Sequence, residues 1–407
     1  MTEIFLTIFF ISILLFFLGT GIWVAISMIG VSAIGMIIFT SRPVGDAMAT
    51  IIWGTSSSWT LTALPLFVWM GEILFRTKLS ENLFEGLSPW LQKLPGGLIH
   101  VNVVGCALFA AISGSSAATV ATVGKMSIPE LRKRNYPEKI LLGSLAGSGT
   151  LGLLIPPSII LIIYGVTVQE SIAKLFMAGI LPGIMIAIIF MFYVIIWSLI
   201  NKKIMPQSFE SFTLIEKLNR SKKLLPVITL ILAVIGSIYT GIATATEAAS
   251  LGVVGSLILS YFQKSLTFEN FKKSLLGATK TSCMIAFILA GSSFLSLAMG
   301  FTGLPRNLAI WIESMQLSPY VLIFVLMIFY IILGMFLDGI SAVVLTMAII
   351  EPMIRQAGFD MIWFGVFLVV VVEMAQITPP VGFNLFVLQG MANKDMGYIA
   401  RSAFPLF

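Results

Sequence analysis

The chain has 407 residues, of which 58% are hydrophobic and only 10% are charged, whereas about a quarter of an average soluble domain is charged. Apolar stretches close to the roughly 20 residues that cross a bilayer as a helix recur from end to end. This composition predicts an all-α polytopic membrane protein. It leaves no segment for a soluble catalytic domain or a nucleic-acid-binding domain.

The first half begins with an apolar run that carries Glu3 and has no basic residue before Arg42. We therefore expect a retained span rather than a cleaved leader, with the N-terminus outside the cytoplasm. The predicted elements, in chain order, are crossings near 4–19, 21–39 and 61–76, a re-entrant hairpin over about 97–124, a broken crossing at 139–168 and a plain crossing at 172–200.

The second half follows a basic linker over 201–223 and is predicted to repeat the same pattern. Its elements are crossings near 224–240, 241–262 and 281–300, a hairpin within about 318–350 and a broken crossing at 361–389. The predicted organisation is thus a first repeat (1–200), a linker (201–223) and a second repeat (224–407). An apolar run follows Pro182, but the sequence ends two residues after Pro405, so we expect the last helix of the second repeat to be missing.

Direct self-comparison supports this division. Five residues of the first half recur at a spacing of 223 residues: Pro129, Arg132, Pro156, Pro157 and Pro182 match Pro352, Arg355, Pro379, Pro380 and Pro405. Each half also has one break rich in glycine and serine and one Pro-Pro break.

Charge predicts that the two repeats have opposite orientations. The segment 125–139 has a net charge of +3 and its counterpart 351–360 has −1, whereas 41–60 is neutral and its counterpart 261–280 has +3. Cytoplasmic loops of membrane proteins collect lysine and arginine. Equivalent loops therefore lie on opposite sides of the membrane, as inverted-topology repeats require. The linker, with a net charge of +4, is predicted to be cytoplasmic.

The breaks predict an ion-binding site. Non-helical backbone at membrane depth persists only where protein, water or an ion satisfies its polar groups. Pro156 and Pro157 remove helical partners from the carbonyls just before them, and Ser113 and Ser115 add oxygen donors on either side of Gly114. Such oxygens suit hard cations, and sodium is our expectation. The alternative is that the prolines only kink a helix and the small residues only allow close packing.

Asp338 is an acid beside a glycine break in a mostly apolar run. An acid there is costly unless it is paired or functional, so Asp338 is a candidate substrate residue. The alternative is a position at an aqueous mouth.

Four motifs then resemble a known family. They are ISGSSAATVATVG at 112–124, LIPPS at 154–158, GIATATEAA at 241–249 and TPPVG at 378–382. Together they resemble the large membrane (M) subunit of tripartite ATP-independent periplasmic (TRAP) transporters, over nearly the whole chain.

The resemblance implies an elevator-type secondary transporter in the bacterial inner membrane that is driven by sodium and imports an organic acid, a carboxylate. It also implies a small four-helix membrane Q subunit and a periplasmic substrate-binding P subunit as partners. The implied first sodium site is Ser113, Ser115, Gly152, Ile155 and Pro157. The implied second site is Gly339, Ser341, Ala375, Thr378 and Pro380. Ser116, Thr119 and Asp338 are the candidate substrate residues.

Two other functions remain open at this point. A stand-alone sodium/dicarboxylate symporter would share the hairpins and broken helices but would need no binding protein. An intramembrane enzyme is the more remote alternative, because the sequence has no paired-histidine metal motif.

Overall fold

The computed structural model describes residues 3–77, 79–206, 212–305, 307, 310 and 318–407, so linker residues 207–211 lie outside the described part. Within these ranges the chain forms helices and no β-strand. The chain begins with α1 (Glu3–Gly19), α2 (Val24–Phe39), α3 (Val44–Ser56), α4 (Ala63–Phe75) and α5 (Leu79–Leu91).

Helix α3 lies where the sequence analysis placed a loop, at 41–60, and this part of the prediction was wrong. Val44, Ala47, Met48 and Ile51 recur at helical spacing and pack around a small cluster of Met36, Phe294 and Ala298. The neighbouring threonines and serines hid this apolar stripe. The two helices α3 and α4 meet at a bend of 53°.

The next helices contain two interruptions of the backbone. They are α6 (Ile99–Ser113), α7 (Ser116–Lys133), α8 (Glu138–Leu154), α9 (Ile159–Val168) and α10 (Ile172–Ile200). Gly114 separates α6 from α7 in a left-handed conformation with φ of 59°, which glycine adopts at little cost. Pro156 and Pro157, joined by a cis peptide bond, separate α8 from α9. Both interruptions occur where the sequence predicts them.

After the linker helix α11 (Leu214–Ser221), the remaining helices are α12 (Leu225–Tyr239), α13 (Ala245–Phe262), α14 (Phe268–Thr302), α15 (Pro319–Gly334), α16 (Gly339–Gln356), α17 (Met361–Gln376), α18 (Phe383–Ala392) and α19 (Met396–Ala403). Helix α14 has 35 residues and is much longer than the predicted crossing at 281–300. Lys272, Lys273 and Lys280 therefore lie on a helix, whereas the sequence analysis placed them in a loop. A second cis Pro-Pro bond, Pro379–Pro380, lies between α17 and α18.

The broken helix formed by α8 and α9 lies at the centre of the protein. Every residue of α8 from Ile140 to Leu154 is buried, and α8 contacts α6, α7, α10, α17, α18 and α19. In contrast, α10 exposes large apolar side chains such as Leu181, Phe192 and Ile200. An interior helix surrounded by helices with apolar outer faces is the arrangement expected when lipid is the solvent.

Five of the described helices are long and apolar enough to cross a membrane, or up to seven when each bent pair counts as one span. The broken helix Glu138–Val168 counts as one of the five. The chain is therefore a multi-pass membrane protein.

Candidate functional site

The first break carries a compact cluster of oxygen atoms. The hydroxyls of Ser113 and Thr119 lie 2.8 Å apart, the Thr119 hydroxyl donates to the Ser115 carbonyl at 2.8 Å, and the Ser113 hydroxyl donates to the same carbonyl at 3.2 Å. The Ser115 hydroxyl caps α7 through a long contact of 3.5 Å from the Ala118 amide. Because that contact is at the limit for a hydrogen bond, the hydroxyl retains capacity for another partner.

The second break of the first half packs directly against this cluster. A side-chain carbon added at Gly152 would lie 2.6 Å from the Ser115 carbonyl oxygen and 2.7 Å from the Thr119 hydroxyl. A carbon added at Gly114 would lie 2.6 Å from the Pro157 carbonyl oxygen. The structure thus brings Ser113, Ser115, Gly152 and Pro157 together.

Ile155, the fifth residue of the predicted first site, ends α8 in an extended conformation. Its side chain packs against Gly183 of α10. The extended backbone at Ile155 marks the point at which the carbonyls of α8 lose their regular helical partners. The hydroxyl of Ser158 takes up one of them, because it donates to the Leu153 carbonyl.

The breaks of the second half also face each other. The Ala375 methyl lies 2.6 Å from the position that a side-chain carbon would take at Gly334, and the Val381 amide donates to the Met335 carbonyl at 3.3 Å. Gly339, at the start of α16, packs against Val372 of α17.

The remaining residues of the predicted second site lie on these same segments. The Thr378 hydroxyl donates to the Met374 carbonyl at 2.8 Å, just before Pro380. Ser341 is buried in the first turn of α16.

The three candidate substrate residues have protein partners. The Ser116 hydroxyl donates to the Asn384 side-chain oxygen at 2.7 Å, and Thr119 belongs to the oxygen cluster. The Asp338 carboxylate caps α16 by accepting from the Ile340 and Ser341 amides at 3.1 and 3.2 Å. This capping explains the acid next to the glycine break, because a carboxylate is favourable at a helix N-terminus.

Two equivalent arginines make reciprocal contacts between the halves. Arg132 at the end of α7 donates to the Ala392 carbonyl at the end of α18, at 2.8 Å. Arg355 at the end of α16 donates to the Val168 carbonyl at the end of α9, at 3.1 Å. A cation is favourable at the carbonyl end of a helix. Each arginine therefore helps to hold the helix that follows the Pro-Pro break of the other half.

Sequence reasoning missed Asn384 and Gln376 near the breaks, and it treated Glu373 only as an isolated acid with weaker context than Asp338. Asn384 is fully buried and lies between the halves, and Glu373 and Gln376 are buried on α17. The only signal in the sequence was that these polar residues lie within an apolar run or directly after one. That signal did not distinguish Glu373 from the other isolated acids of the chain. In the part of the chain that the structure describes, no group of three or more His, Cys, Asp and Glu side chains could hold a metal ion. Any cation at these breaks would depend mainly on carbonyl, hydroxyl and amide oxygens.

Paired helix breaks inside an all-helical, multi-pass membrane protein define a transporter-like architecture. The solved structure of the Alcanivorax borkumensis YdaH transporter has a similar fold, with a TM-score of 0.60, 12% sequence identity and coverage of 88% of this chain and 84% of that chain. The likeness concerns the fold alone.

Sequence comparison gives the family. The chain belongs to the family described as tripartite ATP-independent periplasmic transporter, DctM component, whose model matches residues 11–407. It is 33% identical over 378 residues to the C4-dicarboxylate TRAP transporter large permease protein DctM of Pseudomonas aeruginosa, covering 93% of this chain and 88% of the relative. The chain is therefore a transporter subunit and not an enzyme, and the resemblance stated from its motifs is confirmed.

Two further relatives differ in their names and lengths. The 2,3-diketo-L-gulonate TRAP transporter large permease protein YiaN of Escherichia coli is 31% identical, with 88% of this chain and 84% of the relative covered. The isethionate TRAP transporter permease protein DctMQ of Oleidesulfovibrio alaskensis is 31% identical, with 96% of this chain but only 61% of the relative covered.

Proposed function

We propose that this chain is the large membrane subunit of a sodium-driven importer of an organic acid, a carboxylate, in the bacterial inner membrane. A periplasmic binding protein delivers the acid, and a small four-helix membrane subunit completes the transporter. The names of the relatives support this class of substrate, because C4-dicarboxylates and 2,3-diketo-L-gulonate are organic acids. The longer DctMQ relative supports a second membrane subunit.

Sodium coupling is supported by one observation above all: the oxygens of Ser113, Ser115 and Thr119 lie within 3.2 Å of one another beside the backbone break of α8. Three hard oxygen donors at one point form part of the shell that a dehydrated alkali cation needs. We assign the first sodium site to Ser113, Ser115, Gly152, Ile155 and Pro157. The second is formed by Gly339, Ser341, Ala375, Thr378 and Pro380.

The proposed inverted repeats and elevator movement are supported by the matching construction of the two halves. Both halves have a cis Pro-Pro break, and the contacts of Arg132 and Arg355 are reciprocal. Pro156 and Pro157 are buried, whereas Pro379 and Pro380 are exposed. Both breaks adjoin the largely buried helices α8 and α17, which contact each other and are therefore suited to move together with bound ligands. Transporters built from inverted repeats commonly bind substrate and ions at such discontinuous helices.

The membrane potential can supply energy for import coupled to a cation such as sodium. Each positive charge that enters gains about 2.3 kcal/mol per 100 mV of membrane potential, so sodium ions in excess of the negative charge on the acid can drive accumulation. The sequence also has no glycine-rich phosphate loop ending in Lys-Ser or Lys-Thr, the motif with which a chain would itself bind ATP phosphates.

Uptake into proteoliposomes tests the function. The chain is reconstituted with its small subunit, supplied with the binding protein and a radiolabelled C4-dicarboxylate, and assayed in sodium or choline. We expect uptake only with sodium and only with the binding protein. Equal uptake in choline would refute sodium coupling, and full uptake without the binding protein would favour the stand-alone symporter.

Ser115→Ala tests the site. The variant leaves the Ser115 carbonyl of the cluster in place and removes the side-chain hydroxyl, which we propose as a further sodium ligand. A contact to a charged group contributes about 1.5–3 kcal/mol, so sodium affinity should fall roughly ten- to a hundredfold. Ser171→Ala is the matched control, because Ser171 also caps a helix through a long contact, 3.4 Å from the Lys174 amide. The control should keep its sodium affinity. If both variants bind sodium as the unmodified chain does, Ser115 is only a cap.

A further inference from the structure

Glu373 is an acid in the protein interior without a counter-charge. It lies near the end of α17 with 3% of its surface exposed, and among the described residues it is the one acidic side chain that is buried. None of the ion pairs found among those residues includes it. Its Oε1 atom also has no hydrogen-bond partner. A carboxylate in this position requires a compensating positive charge or a proton.

Gln376 presents a second oxygen without a partner. It lies three residues after Glu373, which places both side chains on one face of α17. It is 4% exposed, and its Oε1 atom has no hydrogen-bond partner. A buried amide oxygen normally accepts a hydrogen bond. The Oε1 atoms of Glu373 and Gln376 are thus two buried oxygens without a donor, and oxygens of this kind suit a small cation.

The position of these two side chains links the breaks of both halves. The Glu373 carboxyl group has backbone hydrogen bonds with Leu153 and Leu154 at the end of α8. The Gln376 side-chain nitrogen lies 3.0 Å from the position that a side-chain carbon would take at Gly339. Glu373 and Gln376 therefore lie between the segments assigned to the two sodium sites.

We infer that Glu373 and Gln376 bind a further monovalent cation, sodium, between the two assigned sodium sites. The inference rests on the proposed sodium coupling. The carboxylate supplies a full negative charge that neither assigned site has among its five residues, and the Gln376 carbonyl supplies a second hard oxygen. Backbone or hydroxyl oxygens at the adjoining helix ends can complete the shell. The sodium ion would neutralise Glu373, the one buried acid among the residues that the structure describes.

The test is equilibrium binding of radioactive sodium to the purified full chain in lipid nanodiscs. Glu373→Gln keeps the shape of the side chain but removes its charge, and it resembles the neutral acid. We expect this variant to bind one sodium ion fewer per chain. Glu81→Gln, an exposed acid on α5, is the control and should bind as many ions as the unmodified chain.

The outcomes separate this inference from the proposed function. If the unmodified chain binds no sodium, both are wrong. If it binds sodium and Glu373→Gln binds the same number with unchanged affinity, Glu373 carries a proton and only this inference is overturned. Should Glu373→Gln fail to fold, Gln376→Met removes the amide oxygen at similar volume. We expect this variant to have about tenfold weaker affinity for one of the ions, and unchanged affinity at every site would overturn the inference.

Discussion

Gly152→Ala is a test of the contact between the first hairpin and the break in α8. The added methyl would lie 2.6 Å from the Ser115 carbonyl oxygen and 2.7 Å from the Thr119 hydroxyl. Ordinary van der Waals contacts begin near 3.4 Å, so the hairpin must retreat by roughly 0.8 Å to accept the methyl group, and overpacking of this kind is destabilising. Both displaced oxygens belong to the cluster proposed to bind sodium.

The expected magnitude follows from the cost of overpacking. Extra methyl groups in a well-packed interior cost about 1–3 kcal/mol. If cation binding requires the hairpin to close against α8, that cost falls on the bound state, and sodium affinity should weaken about five- to a hundredfold. Alanine also favours the helix by about 0.5–1 kcal/mol over glycine, but this gain applies with and without sodium. The clash should therefore determine the change in affinity.

Sodium affinity is measured by titrating radioactive sodium onto the purified chain in nanodiscs. Gly236→Ala on α12 is the control, because no heavy atom lies within 4 Å of the added carbon, and it should bind sodium normally. A folded Gly152→Ala protein with unchanged affinity at every sodium site would show that hairpin closure and cation binding are independent. The assignment of this break as an ion site would then be wrong.

Three other predictions address orientation, the contacts between the halves and the linker. In a cysteine-free background, a cysteine at position 133 should resist an impermeant reagent applied from outside, and a cysteine in place of Gln356 should react with it, because the two loops carry opposite charge. Equal labelling of both positions would refute the inverted repeats. Arg132→Gln removes the contact with the Ala392 carbonyl of α18 and the ion pair with Glu138. It should lower the unfolding free energy by about 1 kcal/mol, measured by denaturation in detergent, and no change would make both contacts incidental. Hydrogen bonds from Thr213 lower the pKa of Glu216, so α11 should lose stability as the pH falls through that lowered pKa. Hydrogen exchange of the α11 amides should show this loss in the unmodified chain but not in Glu216→Gln.

The positions of the helix breaks were predictable because they depend on local chemistry. Gly114 permits a left-handed backbone whatever surrounds it, and adjacent prolines interrupt a helix in any context. Residues of the first predicted sodium site could therefore be placed at the correct breaks from sequence alone. Helix α3 was missed for a different reason. Its apolar residues do recur at helical spacing, but the threonines and serines around them hid the stripe, and its packing against Phe294 of a distant helix is not a local feature.

Contacts between the halves could not be read from the sequence because they depend on how the broken helices pack in three dimensions. Ser116 and Asn384 are separated by 268 residues, and no local pattern links them. The same holds for Glu373, whose burial depends on the helices that surround α17. A helical sequence pattern specifies which face is apolar, but it does not specify which polar side chain on that face will lack a partner.

These contacts have a consequence for the coupling of ions to movement. The helix after each Pro-Pro break ends at a carbonyl held by an arginine of the opposite half, and the Ser116 hydroxyl is held by Asn384. A change at one break therefore alters contacts made by the other half. A ligand shifts a conformational equilibrium only by its differential affinity for the two states. If a cation closes one hairpin against its broken helix, the reciprocal contacts provide a route by which the same ion stabilises the closed form of the other half. The two proposed sodium sites should then bind cooperatively.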